Sequence, residues 1–153
     1  MQSFIKNRWK FLVATAALAV ILGFFLAFGP PKLMAKTESP LFCASCHVMQ
    51  SQYEAWFNTG AHRSIRCVDC HLPHQNLALY YTWKSIDGMK DVILFHSGNV
   101  PEYIEVSERG QGFIQGNCIR CHSERVAMID KERDCWDCHR LLQHKMAGTR
   151  LTN

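Results

Sequence analysis

A chain of 153 residues supports one compact domain with, at most, a small appendage. Its formal net charge of +4 would suit nucleic acid or an acidic partner, but the cysteines undo that reading. All eight cysteines fall into four Cys-x-x-Cys-His motifs. A disulfide framework or a zinc ribbon is thereby disfavoured, since neither explains a histidine directly after every second cysteine.

Taken in order, the chain begins with Lys6, Arg8 and Lys10, followed by a run over residues 11–28, FLVATAALAVILGFFLAF, without one charged side chain. As a helix this run rises about 27 Å, close to the hydrocarbon thickness of a bilayer. Gly29, Pro30 and Pro31 stop it. Basic residues before the run place residues 1–10 in the cytoplasm, 11–29 across the membrane and 30–153 outside, with Lys32 and Lys36 weakening the asymmetry without reversing it. The rival is a cleaved signal peptide, against which stand the length of the run and the poor small-x-small site at 33–35. Either way the rest of the chain is exported.

After a short linker over 32–40 comes the first motif, Cys43, Cys46 and His47, with Met49 just beyond it. Cys-x-x-Cys-His is the attachment signal for c-type haem: two thiols bond the vinyl groups and the adjacent imidazole is placed to ligate iron. A thioether is also a haem ligand, so His47 and Met49 compete for one axial position. Met49 could equally be a filler at a haem edge. The second motif is Cys67, Cys70 and His71; the third is Cys118, Cys121 and His122; the fourth is Cys135, Cys138 and His139. Asp69 and Asp137 occupy matching places in the second and fourth, a faint repeat that suggests two di-haem halves, 41–76 and 113–145.

Between the halves, residues 77–97 (LALYYTWKSIDGMKDVILFHS) hold no cysteine and one internal breaker, Gly88, and are expected to be helical. Tyr80, Tyr81 and Trp83 form an aromatic cluster of the kind found at membrane interfaces. Lys84 and Asp91 share one face, with Asp87 nearby; the plain reading is a solvated face with an ion pair. Residues 99–112 form a polar connection, and the tail after His144 looks dispensable.

The expected class is therefore mainly α with extensive loop: a multihaem cytochrome c domain behind an N-terminal transmembrane helix. Four covalent haem c groups supply much of the core, and the apo form is not expected to fold. Their propionates bring the net charge to roughly −4, so no nucleic-acid partner is expected. Each motif offers one axial histidine. His62, His74, His96 and His144 remain as candidates for the second positions, each with a hydrogen-bonded or surface histidine as the alternative.

The anchor, the four motifs, Met49 after the first of them and the Lys84–Asp91 pair together resemble the NapC/NirT/NrfH family of membrane tetrahaem quinol dehydrogenases. The compact length looks most like the small subunit of ammonia-forming cytochrome c nitrite reductase. The resemblance implies that Met49 rather than His47 ligates haem 1, that Asp91 lies across that haem beside a menaquinol site, and that Lys84 helps bind the quinol oxygen. A carboxylate in reach can take a quinol proton, and a lysine can hydrogen-bond the developing quinolate. It supports His71, His122 and His139 as proximal ligands. His62 and His144 are then expected as distal ligands of the two middle haems, haem 4 drawing its sixth ligand from a partner, with His74 and His96 open.

The implied function is a single-pass protein of the bacterial inner membrane that oxidises menaquinol and relays electrons to a periplasmic multihaem nitrite reductase. It is a menaquinol dehydrogenase and electron-transfer subunit, not itself the nitrite-reducing site. The rivals are a quinol dehydrogenase serving another periplasmic reductase, for nitrate or TMAO, a passive electron-transfer cytochrome, and a haem-based gas sensor.

Overall fold

In the computed structural model residues 2–30, 32–58, 61–130 and 133–144 are described, with side chains from Arg8 onward. The tail after residue 144 lies outside the described residues. Two compact units emerge, Met1–Cys43 and Ala44–Asn153.

The first unit contains α1 (Gln2–Phe28), α2 (Leu33–Lys36) and α3 (Pro40–Cys43). From Phe11 to Phe28, α1 is apolar on every side, and none of the candidate span is buried within the protein. A helix of that kind needs lipid to cover it. It ends where the Gly29 amide donates to the Phe25 carbonyl at 2.7 Å. A Cβ on Gly29 would run into that carbonyl and the Phe25 ring, so the close final turn requires glycine. Lys32 then adopts a left-handed backbone with φ 48°, turning the chain into α2.

The second unit begins with a 3-10 turn, His47–Met49, followed by α4 (Gln50–Asn58), α5 (Cys67–His71), α6 (Leu77–His96), α7 (Glu108–His122) and α8 (Cys135–Cys138). A last 3-10 turn, Arg140–Gln143, follows. No strand occurs among the described residues, and the mainly helical class holds. The central segment is one helix, α6, running through Gly88. Asn76 caps it by accepting from the Leu79 amide at 2.8 Å. At its far end Gly98, with φ +71°, bends the chain back so that the Asn99 amide reaches the Leu94 carbonyl at 3.0 Å. Ser107 caps α7 in the same way as Asn76 caps α6, accepting from Gly110 at 3.2 Å.

Among the described residues the buried side chains are Ala55, Val68, Leu72, Pro73, Tyr80 and Asn117, with Tyr81 and Trp83 packed against the Val68–Leu72–Tyr80 cluster. So few cannot offset the conformational entropy of ordering the whole unit. What polypeptide core there is sits where α5 docks on α7. Asn117 holds that junction: its Nδ2 donates to the carbonyls of Cys70 and Leu72 at 2.9 and 2.8 Å. These carbonyls end α5 and have no helical partner of their own. Arg120 adds a bond to Asn117 Oδ1 at 3.2 Å. At the start of α5, Asp69 accepts from the Arg66 amide and ion-pairs with its guanidinium at 2.8 Å. Burial alone would raise the Asp69 carboxyl, but the bonds and charge of Arg66 outweigh it and hold the group below its ordinary value.

Candidate haem centres

The second, third and fourth motifs each form a helical turn: α5, the last turn of α7, and α8. Helical winding explains the spacing. Residues three and four apart lie on one face, so both thiols and the following imidazole are presented together. The first motif differs, with Cys43 closing α3 and His47 opening a 3-10 turn that ends at Met49. No disulfide joins the eight cysteines, each of which lies in a Cys-x-x-Cys-His motif. Among the described residues no group of three or more His, Cys, Asp or Glu converges as a zinc site would need.

The thiols of three motifs lie close together. Burial lifts Cys118 to about 12, helped by Cys135, which hydrogen-bonds it, and by Cys70. Burial likewise raises Cys70, with Asp69 and Cys121 adding to the effect. Motifs two, three and four thus share one region of the second unit, bound together by the Asn117 junction and by Gln115. The Gln115 side chain accepts from the Cys135 amide at 3.1 Å and donates to the Arg133 carbonyl at 3.0 Å.

The histidines fall into pairs. The His71 and His144 ring centroids are 6.2 Å apart, with planes inclined by 26°. The His62 and His122 rings stand 6.1 Å apart at 90°. Between two imidazoles at that separation there is room for one metal ion at ordinary metal–nitrogen bond lengths of about 2 Å on each side. Two further observations mark the pairs as sites completed by a non-protein group. The Nδ1 atoms of His62 and His144 are buried and find no hydrogen-bond partner. His144 also adopts a left-handed backbone, φ 52°, costing about 1 kcal/mol or more in a non-glycine residue. Burial, then the neighbouring His144, brings His71 down to about 4, and burial lowers His144. Both rings therefore stay neutral near pH 7, with a lone pair free for iron. The donor set fits haem. His71 with His144 suits the second haem, and His62 with His122 the third. His62 is positioned from α4, where the Trp56 indole N–H donates to the His62 carbonyl at 3.0 Å.

The other expected residues separate by role. His139 is exposed just after α8, and no second histidine ring packs against it among the described residues. His74 Nε2 lies 3.3 Å from the Val68 carbonyl and its ring packs on Tyr80 at 5.3 Å, a structural placement in the small core. His96 packs on Phe95 at the end of α6. Met49 is half-buried, whereas His47 is exposed with its ring 5.6 Å from that of Phe95. Phe95 lies one turn beyond Asp91, so His47 meets α6 on the face that carries Lys84 and Asp91. Asp91 is well exposed, 3.5 Å from Lys90 Nζ, and Lys84 Nζ is 5.8 Å from the centre of the Tyr80 ring.

Two residues escaped the sequence reading. Asn117, adjoining a motif cysteine, gave no signal in a single sequence. Arg109 reaches from α7 to α6, pairing with Asp87 at 2.7 Å and stacking on Trp83 at 3.6 Å. Its only sequence signal was one cation in a polar connection.

The sequence profile of the NapC/NirT cytochrome c family, N-terminal region, matches residues 5–125. The chain belongs to that family. Members similar to it include the cytochrome c-type protein NrfH of Wolinella succinogenes, 31% identical over 90% of this chain and 89% of that protein. The cytochrome c nitrite reductase subunit NrfH of Nitratidesulfovibrio vulgaris is 33% identical over 90% and 84%. TorC of Escherichia coli is 26% identical, but this chain spans only 43% of its length. The fold resembles a chain in the crystal structure of the cytochrome c nitrite reductase NrfHA complex bound to the HQNO inhibitor. There the TM-score is 0.65 and identity 31%, covering 88% of this chain and 90% of that one. As a NapC/NirT cytochrome, the protein carries covalently attached haem c and transfers electrons from a membrane-anchored position.

Proposed function

We propose that this chain is the quinol dehydrogenase subunit of a cytochrome c nitrite reductase, carrying four haem c groups on the periplasmic side of a bacterial inner membrane and oxidising menaquinol. The observation that carries the reading is the match to NrfH proteins across about nine-tenths of both chains. TorC is a weaker guide to function, at 26% identity and with only 43% of its length matched by this chain.

When bound, haem supplies a one-electron acceptor whose potential is set by its axial ligands and its surroundings. The chain does the rest. Met49, half-buried at the end of its turn, would hold the haem iron at the first motif, leaving His47 packed on Phe95. The exposed Asp91 carboxylate, beside Lys90, takes a quinol proton, while Lys84 Nζ hydrogen-bonds the developing quinolate. His71 with His144, and His62 with His122, hold the second and third groups in paired imidazole ligation. His139 would hold the fourth group, with a residue of the reductase proposed to complete its ligation. The domains follow: anchor over 11–29, di-haem halves over 41–76 and 113–145, and the quinol segment 77–97 between them.

The test is quinol oxidation by the purified, haem-loaded protein in detergent, followed at the haem absorption bands with and without HQNO. Rapid reduction that the inhibitor slows is the expected result. Haems that dithionite reduces but menaquinol does not would overturn the reading. Co-purification with a multihaem nitrite reductase tests the partner separately.

A further inference from the structure

One surface of α6 takes no part in any of this. Ile86, Met89 and Ile93 are 48%, 63% and 58% exposed. Their spacing puts them in one stripe along the helix. At 100° per residue the stripe lies on roughly the opposite side of α6 from Lys84 and Asp91. The inner side of the helix is accounted for: Tyr80 is buried, Trp83 and Asp87 are tied to Arg109, and Phe95 meets His47. Phe95, which packs on His47 of the first motif, projects from the other side of α6. The stripe is bare apolar surface of the polypeptide, on a chain whose α1 is long and apolar enough to cross a bilayer.

We propose that α6 lies along the membrane surface with Ile86, Met89 and Ile93 seated among the lipid acyl chains. The helix has the composition for this. Lys84, Asp87, Lys90 and Asp91 make it too polar to span, while one apolar stripe suits a helix lying in the interface plane. Lys90 flanks the stripe, with a stem long enough to lift its ammonium to the headgroups. Tethering by α1 holds the domain at high effective concentration near lipid, so a short stripe suffices where a free protein would need a larger one. The consequence is that the helix presenting Lys84 and Asp91 is held at the depth where a lipid-soluble substrate resides. The seating itself rests on the anchor and the stripe, not on the identity of the substrate.

Haem-bound cysteines are thioethers, so a single introduced thiol can be labelled in the intact, haem-loaded chain. Met89→Cys and, separately, Ile93→Cys carry a nitroxide in nanodiscs of phosphatidylcholine and phosphatidylglycerol, with Glu102→Cys as an exposed control. The expected result is a higher ratio of oxygen to nickel-chelate collision at 89 and 93 than at 102. A ratio at both positions equal to that at 102 overturns the proposal. Shielding from both reagents also overturns it, since the stripe is then covered by protein, either a second copy or a reductase. Two label positions keep the test decisive if one variant fails to load haem.

Discussion

At the scale of the residue, the histidines show how little a side chain's type says about its task. His71, His144, His62 and His122 stand in pairs about 6 Å apart, whereas His74 touches a carbonyl and a tyrosine in the core. Replacing His62 or His144 by alanine is expected to convert one haem from low-spin to high-spin, leaving the others unchanged in an electron paramagnetic resonance spectrum. His62→Met instead restores six-coordination and raises the potential of one haem in a redox titration, because thioether ligation favours the reduced iron. His74→Ala changes neither spectrum. On the proposed function, Asp91→Asn removes the base at the quinol site, a contribution worth typically about 10²–10⁴-fold in rate, and a loss of about that size is expected in menaquinol turnover while dithionite still reduces every haem. Asp69 and Asp137 teach the complementary lesson. They match in sequence, yet Asp69 is locked by Arg66, and the position equivalent to Arg66 in the fourth motif is Asp134. The repeat is one of haem attachment and not of electrostatics.

At the scale of the element, the junctions matter more than the helices they join. Asn117 satisfies two carbonyls at the end of α5 from a buried position on α7. Asn117→Leu leaves both carbonyls buried without a donor, and a loss of about 1–3 kcal/mol is expected in chemical unfolding of the holo-protein. The Arg109 link between α7 and α6 is more exposed. Its ion pair is screened, and with the stack on Trp83 it contributes about 1 kcal/mol. Arg109→Lys keeps the charge but forfeits the flat stacked contact, so it rescues Arg109→Ala only in part, as thermal unfolding followed in the haem bands will show. Helix existence was readable because α1 and α6 carry long uninterrupted patterns with clear stops. Their neighbours were not, since a docking contact between α5 and α7 depends on residues about 50 positions apart in sequence.

At the scale of the whole molecule, the described residues of the second unit include too few buried side chains to hold it together. Expression without haem attachment is therefore expected to give a chain with little fixed tertiary structure, seen as loss of near-ultraviolet dichroism and rapid proteolysis. What the amino-acid sequence determined by itself was everything that depends on neighbours along the chain. A covalent attachment motif, an uncharged run long enough to cross a bilayer and the helical phase of Lys84 and Asp91 are all local properties, and all could be read directly. Only the tertiary structure decided which imidazole faces which, that His74 belongs to the core, that Asn117 and Arg109 join the helices, and that one side of α6 is left bare. Those facts rest on contacts between residues far apart in sequence, which local spacing does not encode.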